Sequence, residues 1–159
     1  MSNENNVFYW LPCSVVLVST AHEEKKDIMT ATAMFVSEKE PLLVISVAKG
    51  HLTERLISQS GKFTLVIAGE DQKQLAIQVG SLKGEDSDKF ERFNIKATHT
   101  DTAQALIPEG AAAWMECEVE STEEIRGYRL FMGRVVNQKD TGKAPLVWHK
   151  DQFFKPSPA

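Results

Sequence analysis

A chain of 159 residues with 42% apolar and 25% charged side chains is sized for a single domain over 1–159 built around one core. Its 18 basic and 22 acidic residues leave a formal charge of −4, which argues against a general nucleic-acid binder, because a phosphate backbone is met by a basic face. The opening MSNENNVFYW lacks a basic stretch leading into an apolar one, and no run reaches membrane-spanning length, so a cytoplasmic protein without membrane contact is expected.

Residues 15–20 (VVLVST) form a β-branched run that reads as a buried strand, and 22–27 (HEEKKD) as a solvated turn. Residues 30–37 (TATAMFVS) and 42–48 (LLVISVA) are two further strands, with Pro41 at the entry to the second, where its missing N–H does little harm. The period then changes. Residues 51–60 (HLTERLISQS) put Leu52, Leu56 and Ile57 on one helical face, and Gly61 supplies a stop. A strand at 63–68 (FTLVIA) is followed by a helix at 71–80 (DQKQLAIQVG), and a short helix begins near Asp86 with Phe90 and Phe93. The last third returns to strand at 112–121 and 128–137. The polar connection 122–127 makes these a hairpin with a loop longer than the tightest turns. Residues 146–148 add a final strand before a loose, Pro-containing tail. Strands outnumber helices without alternating strictly with them, which predicts a mainly β fold with inserted helices, a largely antiparallel barrel.

Chemistry concentrates at residues 46–53 (SVAKGHLT). A strand runs out through Lys49, Gly50 and His51 and a helix follows at once, so free backbone N–H groups and the positive end of the helix dipole meet a Lys charge and the Thr53 hydroxyl. That combination suits one phosphate monoester, although a helix-capping Thr and a solvated Lys explain the same residues. Neither GxxxxGK[ST] nor GxGxxG is present. A second segment, 27–32 (DIMTAT), brings small and hydroxyl residues to the neighbouring strand. Together the two segments could frame a flat ligand with backbone groups at its rim.

The order VVLVST, DIMTAT, Pro41, LLVISVAKGHLTERLI, GKFTLVIA, DSDKFERF and YRLFMGRVV resembles the flavin reductase-like family, over about residues 11–154. The resemblance implies the FMN-binding antiparallel split β-barrel and a homodimer with FMN at the subunit interface. It also implies that Met29, Thr30, Ala31 and Thr32 line the isoalloxazine. Ser46, Val47, Ala48, Lys49, Gly50, His51 and Thr53 would then cradle the ribityl chain and phosphate, and Lys89 of DKF would reach the flavin. The chain departs from the family where a His is frequent before the late strand, having Tyr128 and Arg129 instead, and where Cys13 replaces a frequent Pro.

The other reactive residues read blandly. His22, His51, His99 and His149 show no ligand spacing, so no metal is expected, and Asp86 and Asp88 read as helix capping. Cys13 and Cys117 stand far apart, outside any CxxC, as thiols of a reducing compartment. Trp114, Trp148, Phe153 and Phe154 are expected in the core or at a dimer contact, unless one covers the flavin. No nucleophile–base arrangement appears, and the catalytic residues stay unassigned. The resemblance implies an oxidoreductase that passes a hydride from NADH or NADPH to flavin and on to a small-molecule or protein acceptor. The alternatives are an FMN electron carrier without a nicotinamide site, and a non-enzymatic module for another flat cofactor such as haem or a deazaflavin.

Overall fold

The computed structural model of the chain describes residues 7–99 and 105–159. A short 3-10 turn at Val7–Tyr9 leads into β1 (Cys13–Ser14), β2 (Val16–His22), β3 (Lys25–Ser37) and β4 (Leu42–Ala48). Helix α1 (Leu52–Ser60) and β5 (Lys62–Ile67) follow, then α2 (Lys73–Ser81), α3 (Lys89–Arg92), β6 (Ala97–His99) and β7 (Leu106–Pro108). The chain ends with β8 (Ala113–Ile125), β9 (Tyr128–Asp140), β10 (Val147–His149) and β11 (Gln152–Phe154). Strands β2, β3, β4, β9, β8 and β5 close in that order into an antiparallel barrel, as the sequence pattern predicts.

Alternation along each strand divides the residues between two sides. On β4, Leu43, Ile45 and Val47 point into the barrel, where Val16, Val18, Phe63, Leu65, Cys117 and Phe131 meet them, and Ile57 of α1 joins the cluster. Gly133 is required there by space: a Cβ on it would lie 2.6 Å from the Phe63 ring and 2.9 Å from Cys117 Cβ. Outside the barrel, a second cluster joins Val15, Leu17, Ile28 and Val66 to Ala76 and Val79 of α2, Phe90 of α3, Ile107 of β7 and Leu146. Each fully buried aliphatic or Phe side chain contributes about 1.5–3 kcal/mol.

Three expectations are corrected. The solvated turn expected at 22–27 shrinks to Glu23 and Glu24, and β3 starts at Lys25, because Asp27 is buried and partnered within the fold. The long loop expected at 122–127 is a tight turn: β8 pairs with β9 as far as Ile125 opposite Tyr128, and Arg126 and Gly127 both take positive φ, 48° and 80°. Such paired positive φ values match the right-handed twist of a hairpin. The polar run misled because this arm is exposed on both faces and shows no apolar alternation. The tail is not wholly loose, since β11 pairs with β10 and Phe153 packs against the outer cluster. The short helix does begin at an aspartate: Asp88 accepts hydrogen bonds from the backbone N–H groups of Phe90 and Glu91.

Candidate functional site

The outward faces of β3 and β4 form the floor of a predominantly apolar cavity of about 660 Å³. Thr30, Thr32 and Met34 alternate along β3, and Val44 and Ser46 along β4, with Thr32 opposite Ser46 in register; Leu130 of β9 extends the floor. Ala76 and Ile77 of α2 form one wall, while Phe8, Leu11, Cys13, Trp148 and Phe153 form another. Thr30, Thr32 and Ser46 keep the floor low between the larger Met34, Val44 and Leu130. The Thr30 hydroxyl is engaged, donating to the Ala76 carbonyl at 2.6 Å, and so fixes α2 over the floor.

Strand β4 leads directly from this floor into a polar pocket of about 450 Å³ lined by Lys49, Gly50, His51, Arg55, Lys83, Glu85 and Asp86. From Ser46 to Lys49 the chain advances about 10 Å at 3.3 Å per residue. An apolar floor and a cation-bearing loop are therefore joined by one strand end. Gly50 turns the chain with φ 84°, and His51 precedes α1 without a side-chain cap. The loop is held from three sides. Lys49 N–H donates to the Gly127 carbonyl of the hairpin at 3.0 Å, Arg55 Nη1 donates to the Gly50 carbonyl at 2.7 Å, and Gly50 N–H reaches Glu54 Oε2 at 3.4 Å.

Charge is closely balanced around the loop. Lys49 Nζ meets Glu124 Oε1 at 2.5 Å, Arg129 Nη2 lies 3.6 Å from Glu124 Oε2, and Arg129 Nε contacts Glu54 Oε1 at 2.8 Å. The hydrogen bond from Lys49, together with its charge and that of Arg129, holds the Glu124 carboxyl below its ordinary range. Arg55 Nη2 pairs with Glu85 at 2.8 Å.

Of the residues expected at the site, Thr30, Ala31, Thr32 and Ser46 line the apolar cavity and Lys49, Gly50 and His51 the polar pocket. Ala48 ends the strand between them. The side chains of Met29 and Val47 pack with the barrel interior, so only their backbone belongs to the sheet that carries the site. Thr53 neither caps α1 nor faces the pocket: it is fully buried and donates to Asp27 Oδ2 at 2.6 Å. Lys89 is also buried. Its ammonium donates to the carbonyls of Ile28 at 2.7 Å and Val79 at 3.1 Å, and lies 3.2 Å from Asp27 Oδ1, an ion-pair contact rather than an aligned hydrogen bond. It lines neither cavity. Sequence reasoning missed Arg55, whose i, i+4 relation to His51 placed it over the loop, and Ile77, an apolar residue on an exposed helix face. Trp148 and Phe153 join the cavity wall while also packing against the outer core cluster.

The closed six-stranded antiparallel barrel with helices inserted between its strands places the chain in the flavin-binding split-barrel class. The chain belongs to the family described as the flavin reductase like domain, whose model matches residues 8–157. An uncharacterized Escherichia coli protein, YddH, is 33% identical over 127 residues, covering 77% of this chain and 67% of that protein. The NADH-dependent flavin reductase StyB of Pseudomonas fluorescens is 29% identical over 158 residues, 90% of this chain and 84% of StyB. Among solved structures, the NADH:FAD oxidoreductase SgcE6 of Streptomyces globisporus superposes with a TM-score of 0.87 at 20% identity, covering 97% of this chain and 92% of its own, a likeness of fold.

Proposed function

We propose that this flavin reductase-type oxidoreductase binds FMN, with the ring over the floor formed by Thr30, Thr32, Val44 and Ser46 and the phosphate at the Lys49–Gly50–His51 loop. The observation that carries this reading is the joining, through β4, of a large apolar cavity to a cation-bearing loop at a distance that suits a ribityl chain. Bound flavin supplies hydride acceptance from a reduced nicotinamide and onward delivery of electrons to a second acceptor. The chain's own residues bind, orient and exclude water. Strand backbone and small side chains give a flat seat, Trp148 and Phe153 wall it, and Lys49 and the N–H groups of the first turn of α1 attract the anion. No side chain need transfer a proton. The NADH-dependent activity in StyB's name favours NADH as donor.

The assembly is proposed as a homodimer in the cytoplasm. Met34, Phe35 and Val36 are 66%, 69% and 53% exposed along β3, and Phe8 and Leu11 are as open beside the same cavity. Phe8, Leu11 and Met34 line the cavity and Phe35 and Val36 follow on the same strand, exposed apolar area that suits a second copy completing the enclosure. Both cysteines are free thiols, in keeping with a reducing compartment. The test is an absorbance titration with FMN followed by anaerobic NADH, then NADPH. Flavin bands that shift on binding and bleach with a nicotinamide support the reductase. Flavin that binds and bleaches only with dithionite identifies an electron carrier, and absence of binding overturns the reading.

A further inference from the structure

Lys49 carries the one full charge of the SVAKGHLT segment, yet it is already neutralised. Glu124, near the tip of the β8–β9 hairpin, puts a carboxylate oxygen 2.5 Å from its ammonium. The hairpin is anchored for this: Lys49 N–H donates to the Gly127 carbonyl, and Ala48 pairs with Tyr128 across the β4–β9 ladder. Arg129, on the same hairpin, spans Glu124 and the buried Glu54 behind the loop. The pocket therefore carries its own carboxylate on the group best suited to a ligand phosphate. A dianionic phosphate arriving at Lys49 meets a balanced pair, and gains the ammonium only as Glu124 gives it up.

We propose that Glu124 is an affinity-setting residue: it occupies Lys49 in the ligand-free chain, so that phosphate binding is an exchange of one anion for another and FMN is held loosely enough to leave. This rests on the assignment of the loop to the flavin phosphate. The exchange has a bounded size. Glu124 and Lys49 are partly exposed, with side chains 54% and 38% accessible, so their pairing is solvent-screened and its removal changes phosphate affinity only modestly, by about two- to five-fold.

The test compares FMN with riboflavin, which lacks the phosphate, by quenching of flavin fluorescence on the full chain. Glu124→Gln keeps the shape of an exposed residue, and its fold is checked by circular dichroism. The expected result is FMN binding tightened two- to five-fold, riboflavin binding unchanged, the FMN off-rate constant lowered in proportion, and no effect of Glu124→Gln in a Lys49→Ala background. Weaker FMN binding in Glu124→Gln would overturn the exchange, because Glu124 would then be holding Lys49 in place for the phosphate. Equal tightening of FMN and riboflavin would overturn it too. If Lys49→Ala alone lowers FMN and riboflavin binding equally, the phosphate-loop reading itself falls, an outcome distinct from either of these.

Discussion

Replacing Lys89 by Met tests the charged pair buried beneath the site. The Lys89 and Asp27 side chains are each 3% exposed, and the ammonium serves Asp27 and the carbonyls of Ile28 and Val79. Lys89→Met fills similar length but leaves Asp27 with the Thr53 hydroxyl as its directed partner and strips a donor from two carbonyls. Gly84 packs tightly over the carboxylate, where even a Cβ would come within 2.6 Å of both oxygens, so water has little room to substitute. Removing one partner of a buried pair costs about 3–5 kcal/mol, because the other charge stays desolvated. At about 2–4 °C per kcal/mol for a domain of this size, Tm falls by roughly 6–20 °C. Urea denaturation followed by circular dichroism reads the difference directly. The double variant Asp27→Asn with Lys89→Met should recover part of the loss, since no lone charge is then buried. A loss below about 1 kcal/mol for Lys89→Met would refute the reasoning, because it would mean that the carboxylate is hydrated or readily neutralised.

Three further outcomes are expected. The Cys117 thiol, pushed up to about 12 by burial and the Glu116 charge, stays protonated at pH 8 and should resist alkylation in the native state, while Cys13, raised by burial alone and half-buried at the cavity, should react first; equal rates by mass-resolved iodoacetamide labelling would contradict this. Gly133→Ala forces a Cβ into the Phe63 ring and should cost about 1–3 kcal/mol in the same urea assay, with a neutral effect showing that the barrel interior yields. Phe35→Glu, at a side chain 69% exposed, should leave the fold intact and shift sedimentation from dimer to monomer; an unchanged sedimentation coefficient would remove β3 from the proposed interface.

The fold was legible where one face of a strand is buried. The runs VVLVST and LLVISVA show β-branched content or strict alternation, and both became barrel strands. Residues 122–127 were not legible, because a ribbon that projects with both faces in water leaves no apolar signal and only the Arg–Gly pair marks its turn. The polar pocket was legible at Lys49, Gly50 and His51, where strand end, glycine and helix start fall together in sequence. The destinations of Thr53 and Lys89 were not. Each looked available for a ligand, and each is spent on Asp27, a partner 26 residues from Thr53 and on another element. A carboxylate that reads as part of a charged turn gives no sign that the barrel will bury it.

The same alternation explains how one pair of strands serves stability and binding together. Leu43, Ile45 and Val47 of β4 fill the barrel, whereas Val44 and Ser46 between them face the cavity, and on β3 the Met29, Ala31 and Ala33 side chains pack with the barrel interior, Ala31 and Ala33 also bordering the cavity, while Thr30, Thr32 and Met34 line it from outside. Changes to the outer set alter the cavity floor without opening a hole in the barrel core. The inner set fixes strand register, and a slip of one residue would exchange the two faces and lose both. The polar groups beneath the site follow a related logic. Asp27, Thr53 and Lys89 tie the start of β3, the start of α1 and the start of α3 to one point, with Val79 of α2 bound to the same ammonium. The elements that carry the apolar floor, its α2 wall and the polar loop are thus fastened together by a cluster that lines neither cavity. Thr30, Thr32 and Ser46 on the floor can then remain small without loosening the elements around them.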